Sequence, residues 1–277
     1  MSETDAALPA NTARAYARQL ERFEAWCTEQ GRDACPCTGE TLETFVSHLC
    51  DLGLGPASID QAIAAIRVRH RDQGLEGQPD TRAALAVLRA HRRARAAHGE
   101  RRRTAPPVTD EVLRAMIEAT PVADAEGRQL LAGLRDRVLL VLGVALLGRR
   151  SELAALRASD VAETDDGLRV VIRATGTDPA ADEIVEIPRG PHPGTDPVLV
   201  VRAWLAALAE HGVTLTDPNV RLLRAVNKWG HLGVAISEDG INKAVRAAAE
   251  RAGLPDAATY TAQSLRAGGA AAAPGRR

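Results

Sequence analysis

The stretch LRDRVLLVLGVALLG, residues 134–148, constrains the fold of this chain more than any other. After a charged first turn it is apolar on every face of a helix, so no face can be left to water. It is also too short to cross a bilayer, which takes about 20 apolar residues. Such a helix has to be central, with other elements packed around it. Its neighbours in sequence can supply them. Thr109 and Asp110 cap DEVLRAMIEAT, while PVLVVRAWLAALAEHG (197–212) and EDGINKAVRAAAERAG (238–253) read as helices. GLRVVIRA and DEIVEIPRG are β-type runs separated by TGTDPAA, which predicts a hairpin in a small sheet.

The N-terminal part reads differently. NTARAYARQLERFEAWCTEQG has Asn11 or Thr12 as a cap, a stripe through Tyr16, Leu20, Phe23 and Trp26, and Gly31 as a stop. TGETLETFVSHLCDLG starts at Thr38-x-x-Thr41, PASIDQAIAAIRVRHRDQG runs from Pro56 to Gly74, and a fourth helix spans Asp80 to Gly99. Short Gly/Pro loops between four helices predict an all-helical bundle. ERRRTAPPV, residues 100–108, brings charge and two prolines with no apolar period, and reads as a linker. The expected division is therefore a helical domain over 1–99, a linker over 100–108 and a second domain over 109–277. The 277 residues suffice for two cores. The fold class expected is mainly α with a small β-hairpin or sheet.

Net charge is −1, so the molecule as a whole is no polycation. Its charge is unevenly spread, however: residues 81–103 carry eight Arg against one Glu, which suits either a phosphate-binding face or a solvated helix face followed by a flexible basic linker. No apolar stretch reaches membrane-spanning length, and the start MSETDAALPANTARAY is acidic and polar, unlike a signal peptide. A cytoplasmic protein with no membrane partner is expected. Cys27, Cys35, Cys37 and Cys50 lie near His48, but the C-x-C and H-x-C spacings match no common structural zinc pattern. His48 and Cys50, two apart on a helix, would diverge by about 200°. Reduced, incidental cysteines are expected, with no metal and no small-molecule cofactor.

The most specific string is LGRRSELAALRASDV, residues 147–161. It joins the apolar helix to a second helix near Ser151 and sets Arg149 and Arg150 at the junction, with Glu152 about one turn away to orient Arg149. The pattern R-x-S-E-L-x-x-L-x-x-x-D, then a β-hairpin, a helical stretch and Ser264-Leu265-Arg266-Ala267-Gly268, resembles the tyrosine recombinase (phage integrase) family. TARAYARQLERFEAWC and GPASIDQAIAAIRVRHRDQG resemble that family's helical core-binding, SAM-like domain, and WGHLGVAISEDGINKAVRAAAERAGL resembles the segment before its second arginine box. The resemblance covers about residue 10 to 270.

It implies a helical clamp and an integrase-type catalytic domain that encircle double-stranded DNA, with other recombinase protomers as partners. A tyrosine attacks the scissile phosphodiester to give a 3′-phosphotyrosine while two arginines grip the phosphate. Guanidinium suits that task because it is planar, permanently charged and bidentate. By the resemblance Arg149 and Arg266 are the gripping pair and Glu152 supports the first. Arg67, Arg69, Arg71, Arg92, Arg93, Arg95, Arg101, Arg102 and Arg103 are expected to add sequence-independent DNA affinity.

Three positions depart from the family pattern. The hairpin lysine, a general acid, falls on Gly176; Arg173 nearby can donate a hydrogen bond but its high pKa makes it a poor acid. Gln263 stands where a histidine is expected and cannot shuttle a proton. The nucleophilic tyrosine is expected a few tens of residues after Arg266, yet the tyrosines present are Tyr16 and Tyr260. The expectation is a C-terminally truncated member, catalytically defective as it stands, that binds DNA. A decayed product without independent function, an accessory DNA-binding regulator and a recombinase supplied with its nucleophile by an intact relative stay open.

Overall fold

The structure is a computed structural model, and it describes residues 10–98, 105–174 and 182–272. The chain divides into two compact units, residues 1–102 and 103–277. In the first, four helices follow one another: α1 (Ala10–Glu29), α2 (Gly39–Asp51), α3 (Pro56–Asp72) and α4 (Arg82–Ala97). The stripe on α1 delivers Phe23 and Trp26 into a core with Phe45 of α2, ring centroids 4.8 and 5.2 Å away. Leu42, Leu49, Ile59, Ile66 and Leu88 complete it, all fully buried. Thr38 caps α2 by accepting the Thr41 N–H at 3.1 Å. Gly53, at φ +72°, closes the same helix: its N–H reaches Cys50 and that of Leu54 reaches Leu49, a pairing that needs the left-handed conformation glycine tolerates. α1 is already helical at Ala10, so neither Asn11 nor Thr12 starts it. The arginines at 67, 69 and 71 do not interrupt α3, which continues to Asp72.

The second unit holds α5 (Asp110–Glu118), α6 (Leu131–Ala145), α7 (Arg150–Ala155), a sheet, α8 (Pro197–Glu210), α9 (Glu238–Arg251) and α10 (Ala262–Ala272). The all-round apolar helix is central, as its composition requires: Val138, Leu139, Leu140 and Leu142 are buried, and α8, α9 and α10 pack on it. It sits three residues earlier than the apolar run suggested and ends where Leu147 turns left-handed at φ +51°. The polar pair in its second turn is buried, too. Arg135 binds Asp136 at 2.6 Å, and burial still raises the Asp136 carboxyl above its ordinary value against the pull of Arg135 and Arg251. Trp204 of α8 is fully buried and donates its indole N–H to the Leu222 carbonyl at 2.7 Å.

The predicted hairpin is present as β2 (Gly167–Ile172) and β3 (Glu183–Pro188), antiparallel with Leu168 opposite Ile187. A further strand, β1 (Val161–Thr164), pairs antiparallel with β2 on its other side, making a three-stranded sheet in the order β1-β2-β3. The chain is thus mainly helical with one small antiparallel sheet. No described helix is long and apolar enough to cross a membrane.

The end of the expected linker belongs to this second core. Val108 is fully buried and donates its N–H to the Ser264 carbonyl at 2.9 Å. A Cβ on Gly268 would lie 1.8 Å from the Val108 oxygen, so α10 closes on that strand of backbone only through glycine.

Candidate functional site

Arg149 precedes α7 in extended conformation, at φ −70° and ψ 151°. Glu152, one turn into the helix, accepts from it twice: one carboxylate oxygen takes the Arg149 backbone N–H at 2.7 Å, the other its guanidinium at 2.9 Å. A single carboxylate therefore fixes the backbone and the head group of the same arginine. The Arg149 side chain is 67% exposed rather than buried at the helix junction, so its remaining N–H groups face solvent.

The next residue ties this corner to the rest of the unit. Arg150 pairs with Glu238, the first residue of α9, at 2.9 Å. One turn further along α9, Asn242 accepts the N–H of Ala262, the first residue of α10, at 3.0 Å. The first two turns of α9 thus hold the start of α7 and the start of α10. Beyond its start α10 runs along the C-terminal half of α6, with Leu265 fully buried. A Cβ on Gly143 of α6 would meet that leucine at 2.5 Å, and one on Gly269 would meet the Val144 oxygen at 2.1 Å. These contacts fix Arg266, the next residue after Leu265. It is half-buried, and no hydrogen bond or ion pair engages it among the described residues. Gln263, in the first turn of the same helix, is exposed.

Asp160, the last residue of the motif, has a role that the spacing did not reveal. It is buried, and it accepts the Arg157 N–H at 2.9 Å and the Arg173 guanidinium at 2.8 Å. This clamp holds the end of β2 and pushes the Arg173 pKa upward, the hydrogen bond to Asp160 being the main cause. Arg173 is therefore engaged in holding the sheet. Gly176, at the position expected of a lysine, lies outside the described residues.

In the first unit the expected basic residues divide into two groups. Arg69 pairs with Glu24 at 3.1 Å, Arg71 lies 3.9 Å from its neighbour Asp72, and Arg67 is exposed without a partner among the described residues. Arg92 pairs with Asp60 near the start of α3, and Arg95 donates to the Gly53 carbonyl just before it, at 3.2 Å. Arg93 is exposed. The ends of α3 and α4 therefore run opposite ways, and the two arginine groups stand about 16 Å apart along α3, from the rise per residue. Arg101, Arg102 and Arg103 lie outside the described residues.

The two tyrosines lie in different units. Tyr16 is half-buried on α1, while Tyr260 is buried in the second core, where desolvation raises its phenol pKa. All four cysteines are free, and burial pushes the thiols of Cys27 and Cys37 up to about 11 and about 12.

Residues 3–71 match the family model for the phage integrase N-terminal SAM-like domain. Over 270 residues the chain is 26% identical to an integrase/recombinase xerD homolog of Selenomonas ruminantium, covering 95% of this chain and 73% of that protein. Among solved structures, the XerH site-specific recombinase bound to its difH substrate superposes with a TM-score of 0.58 at 17% identity, over 93% of this chain and 68% of that one. A lambda integrase dimer bound to a COC′ core site gives 0.55 at 16%, over 96% and 65%. At such identities the two structures establish the fold. Together with the matched N-terminal domain and the relative aligned along nearly the whole chain, they make the tyrosine recombinases the family that this chain resembles.

Proposed function

We propose that the chain grips the backbone of double-stranded DNA through Arg149 and Arg266, with Glu152 holding Arg149 in place. The observation that carries this reading is Arg266. A half-buried guanidinium with no acceptor among the described residues has lost part of its hydration without a counter-charge, and an anion restores the balance. A phosphate offers two oxygens at the spacing of a guanidinium edge. α9 ties the start of α7 to that of α10, so the two arginines belong to one rigid corner.

The domain reading follows: residues 1–99 as the core-binding unit, 100–108 as the link, and 109–277 as the unit that holds the scissile phosphate. Arg67 and Arg93, on the first unit, add sequence-independent attraction that weakens with salt. XerH was solved bound to its difH substrate and lambda integrase as a dimer bound to a core site, which supports DNA and further protomers as partners here.

The 277 residues by themselves are read as binding without strand cleavage. Tyr260 is packed in the core, Tyr16 belongs to the other unit, and neither Gln263 nor Gly176 can move a proton. A gel shift on duplex DNA at low and raised salt tests the binding. Arg266→Ala is expected to weaken it tenfold to a hundredfold, on the order of one lost charge-assisted pair, with an unchanged melting temperature. Unchanged affinity would sink the assignment of Arg266. A nicked suicide duplex is expected to yield no DNA-linked protein, and a covalent band would overturn the non-cleaving part alone.

A further inference from the structure

Residues 225–233 form a small hairpin that the phosphate-gripping corner leaves unused. Val226 bridges Leu232, the Gly233 N–H reaches the Ala225 carbonyl at 2.7 Å, and the Asn227 N–H reaches that of His231 at 3.0 Å. The Asn227 side chain accepts the N–H groups of Trp229 and His231 at 2.9 and 3.0 Å, and Gly230 turns the chain at φ +84°. The tip is therefore held by its own hydrogen bonds. It presents Trp229, 70% exposed, with the Lys228 ammonium 4.4 Å from the ring centroid. A large ring on a braced tip does not help the fold that carries it, since it buries little there.

The charge along this stretch has one sign. From Asn219 to Ser237 the sequence contains Arg221, Arg224, Lys228 and His231 and no Asp or Glu. Arg221 and Arg224 donate to the carbonyls of Ala155 and Gly233, so they are positioned without being neutralised. The base of the hairpin also adjoins the corner described above. Leu222 and Val220 bond Leu156 and Ala158, just past α7, and Ile236 leads directly into α9. α7, which Arg149 precedes, and α9, which holds the starts of α7 and α10, thus flank the hairpin. A surface that is cationic, rigid and capped by an exposed indole fits a polyanion with apolar sugar edges between its charges.

We propose that the 227–231 tip is a second contact on the DNA backbone, with the Lys228 ammonium on a phosphate and the Trp229 ring against the sugar edge beside it. The inference rests on the reading of the chain as a DNA-gripping protein. Its test exploits the two other tryptophans, Trp26 and Trp204, which are both buried. Acrylamide quenching of intrinsic fluorescence therefore reports Trp229. In the full chain, a duplex at a concentration that gives a complete gel shift is expected to shield that emission, and Trp229→Phe to abolish the change. Trp229→Ala is expected to weaken binding roughly threefold to tenfold, and Lys228→Ala to lower the slope of log affinity against log salt by about one. Both side chains are exposed, so the variants should melt like the parent protein. A complete gel shift with Trp229 still fully quenchable, and Trp229→Ala binding like the parent, would overturn the tip contact and leave the Arg266 reading standing. No gel shift at low salt would overturn both.

Discussion

In the first unit Arg69 and Arg92 reach the carboxylates of Glu24 and Asp60; in the second Arg149 and Arg150 likewise reach Glu152 and Glu238, but Arg221 and Arg224 reach carbonyl oxygens and Arg266 reaches no described partner. The two habits have different consequences. A carboxylate offsets part of the field of its arginine, so that Arg149 has mainly its remaining N–H donors to offer, while a carbonyl orients the guanidinium and leaves its charge intact. The second unit is thereby suited to hold one phosphate in a defined place. The first has positive field to offer mainly from Arg67 and Arg93. The cores differ as well: three mutually packed aromatic rings sit where α1 meets α2 in one, and aliphatic layers surround α6 in the other.

The largest test of this division removes one core at a time. Phe45→Ala is expected to cost the first unit about 3–5 kcal/mol, and Leu265→Ala the second about 2–5 kcal/mol. Denaturant unfolding followed by limited proteolysis reads which unit has opened. Leu265→Ala should also abolish the Arg266-dependent part of DNA binding, because Leu265 sets the position of its neighbour against Gly143. Phe45→Ala should leave that part in place at temperatures where the second unit stays folded. Loss of both units in either variant would show that the cores are not separable.

Much of this was legible in the residues. The four N-terminal helices announced themselves through an aromatic stripe and glycine stops, and the central helix through an apolar run that leaves no face for water. The Arg149–Glu152 pair follows from a spacing of three at a helix start. β1 was missed because four residues, half of them polar, show no periodicity; Asp165-Asp166-Gly167 after it was the turn signal available. Val108 read as linker because its burial comes from Gly268, 160 residues away, and local pattern carries no trace of that contact. Asp160 stood in the motif, but its partner Arg173 was visible only once the strands had paired. The hairpin around Trp229 was hidden for a similar reason, its bracing being made by an Asn side chain and backbone.

A smaller effect separates the two cores by pH. Burial raises the Cys27 and Cys37 thiols to about 11 and about 12, from 9.0. In the unfolded chain they would lose their protons first, so the folded state binds more protons above pH 9. The stability they contribute is therefore complete below pH 9 and lost as pH rises toward 12. Both residues belong to the first unit, so alkaline titration should open that unit through this window. A Cys27→Ala, Cys37→Ala double variant should flatten the dependence there, allowing for the phenol of Tyr260, which is also raised, in the second unit. An unchanged slope in the double variant would mean that other groups dominate alkaline unfolding.

The smallest effect bears on the arginines directly. If Glu24 holds Arg69 as an internal counter-ion, then Arg69 releases no ion from DNA on binding, and Arg67, exposed two residues away, releases about one. Arg67→Ala should then lower the salt slope by about one, while Arg69→Ala leaves the slope unchanged and weakens binding only through the carboxylate it uncovers. The sharper variant is Glu24→Gln. It keeps the shape of the side chain, removes its charge and frees Arg69 for a phosphate, so the slope should rise by about one. The pair is exposed on both sides, and surface pairs of this kind stabilise folds little, so melting should not change. A slope indifferent to Glu24→Gln would place Arg69 away from the DNA path. The first unit's contribution would then rest on Arg67 and the α4 group alone, which lies toward the opposite end of α3.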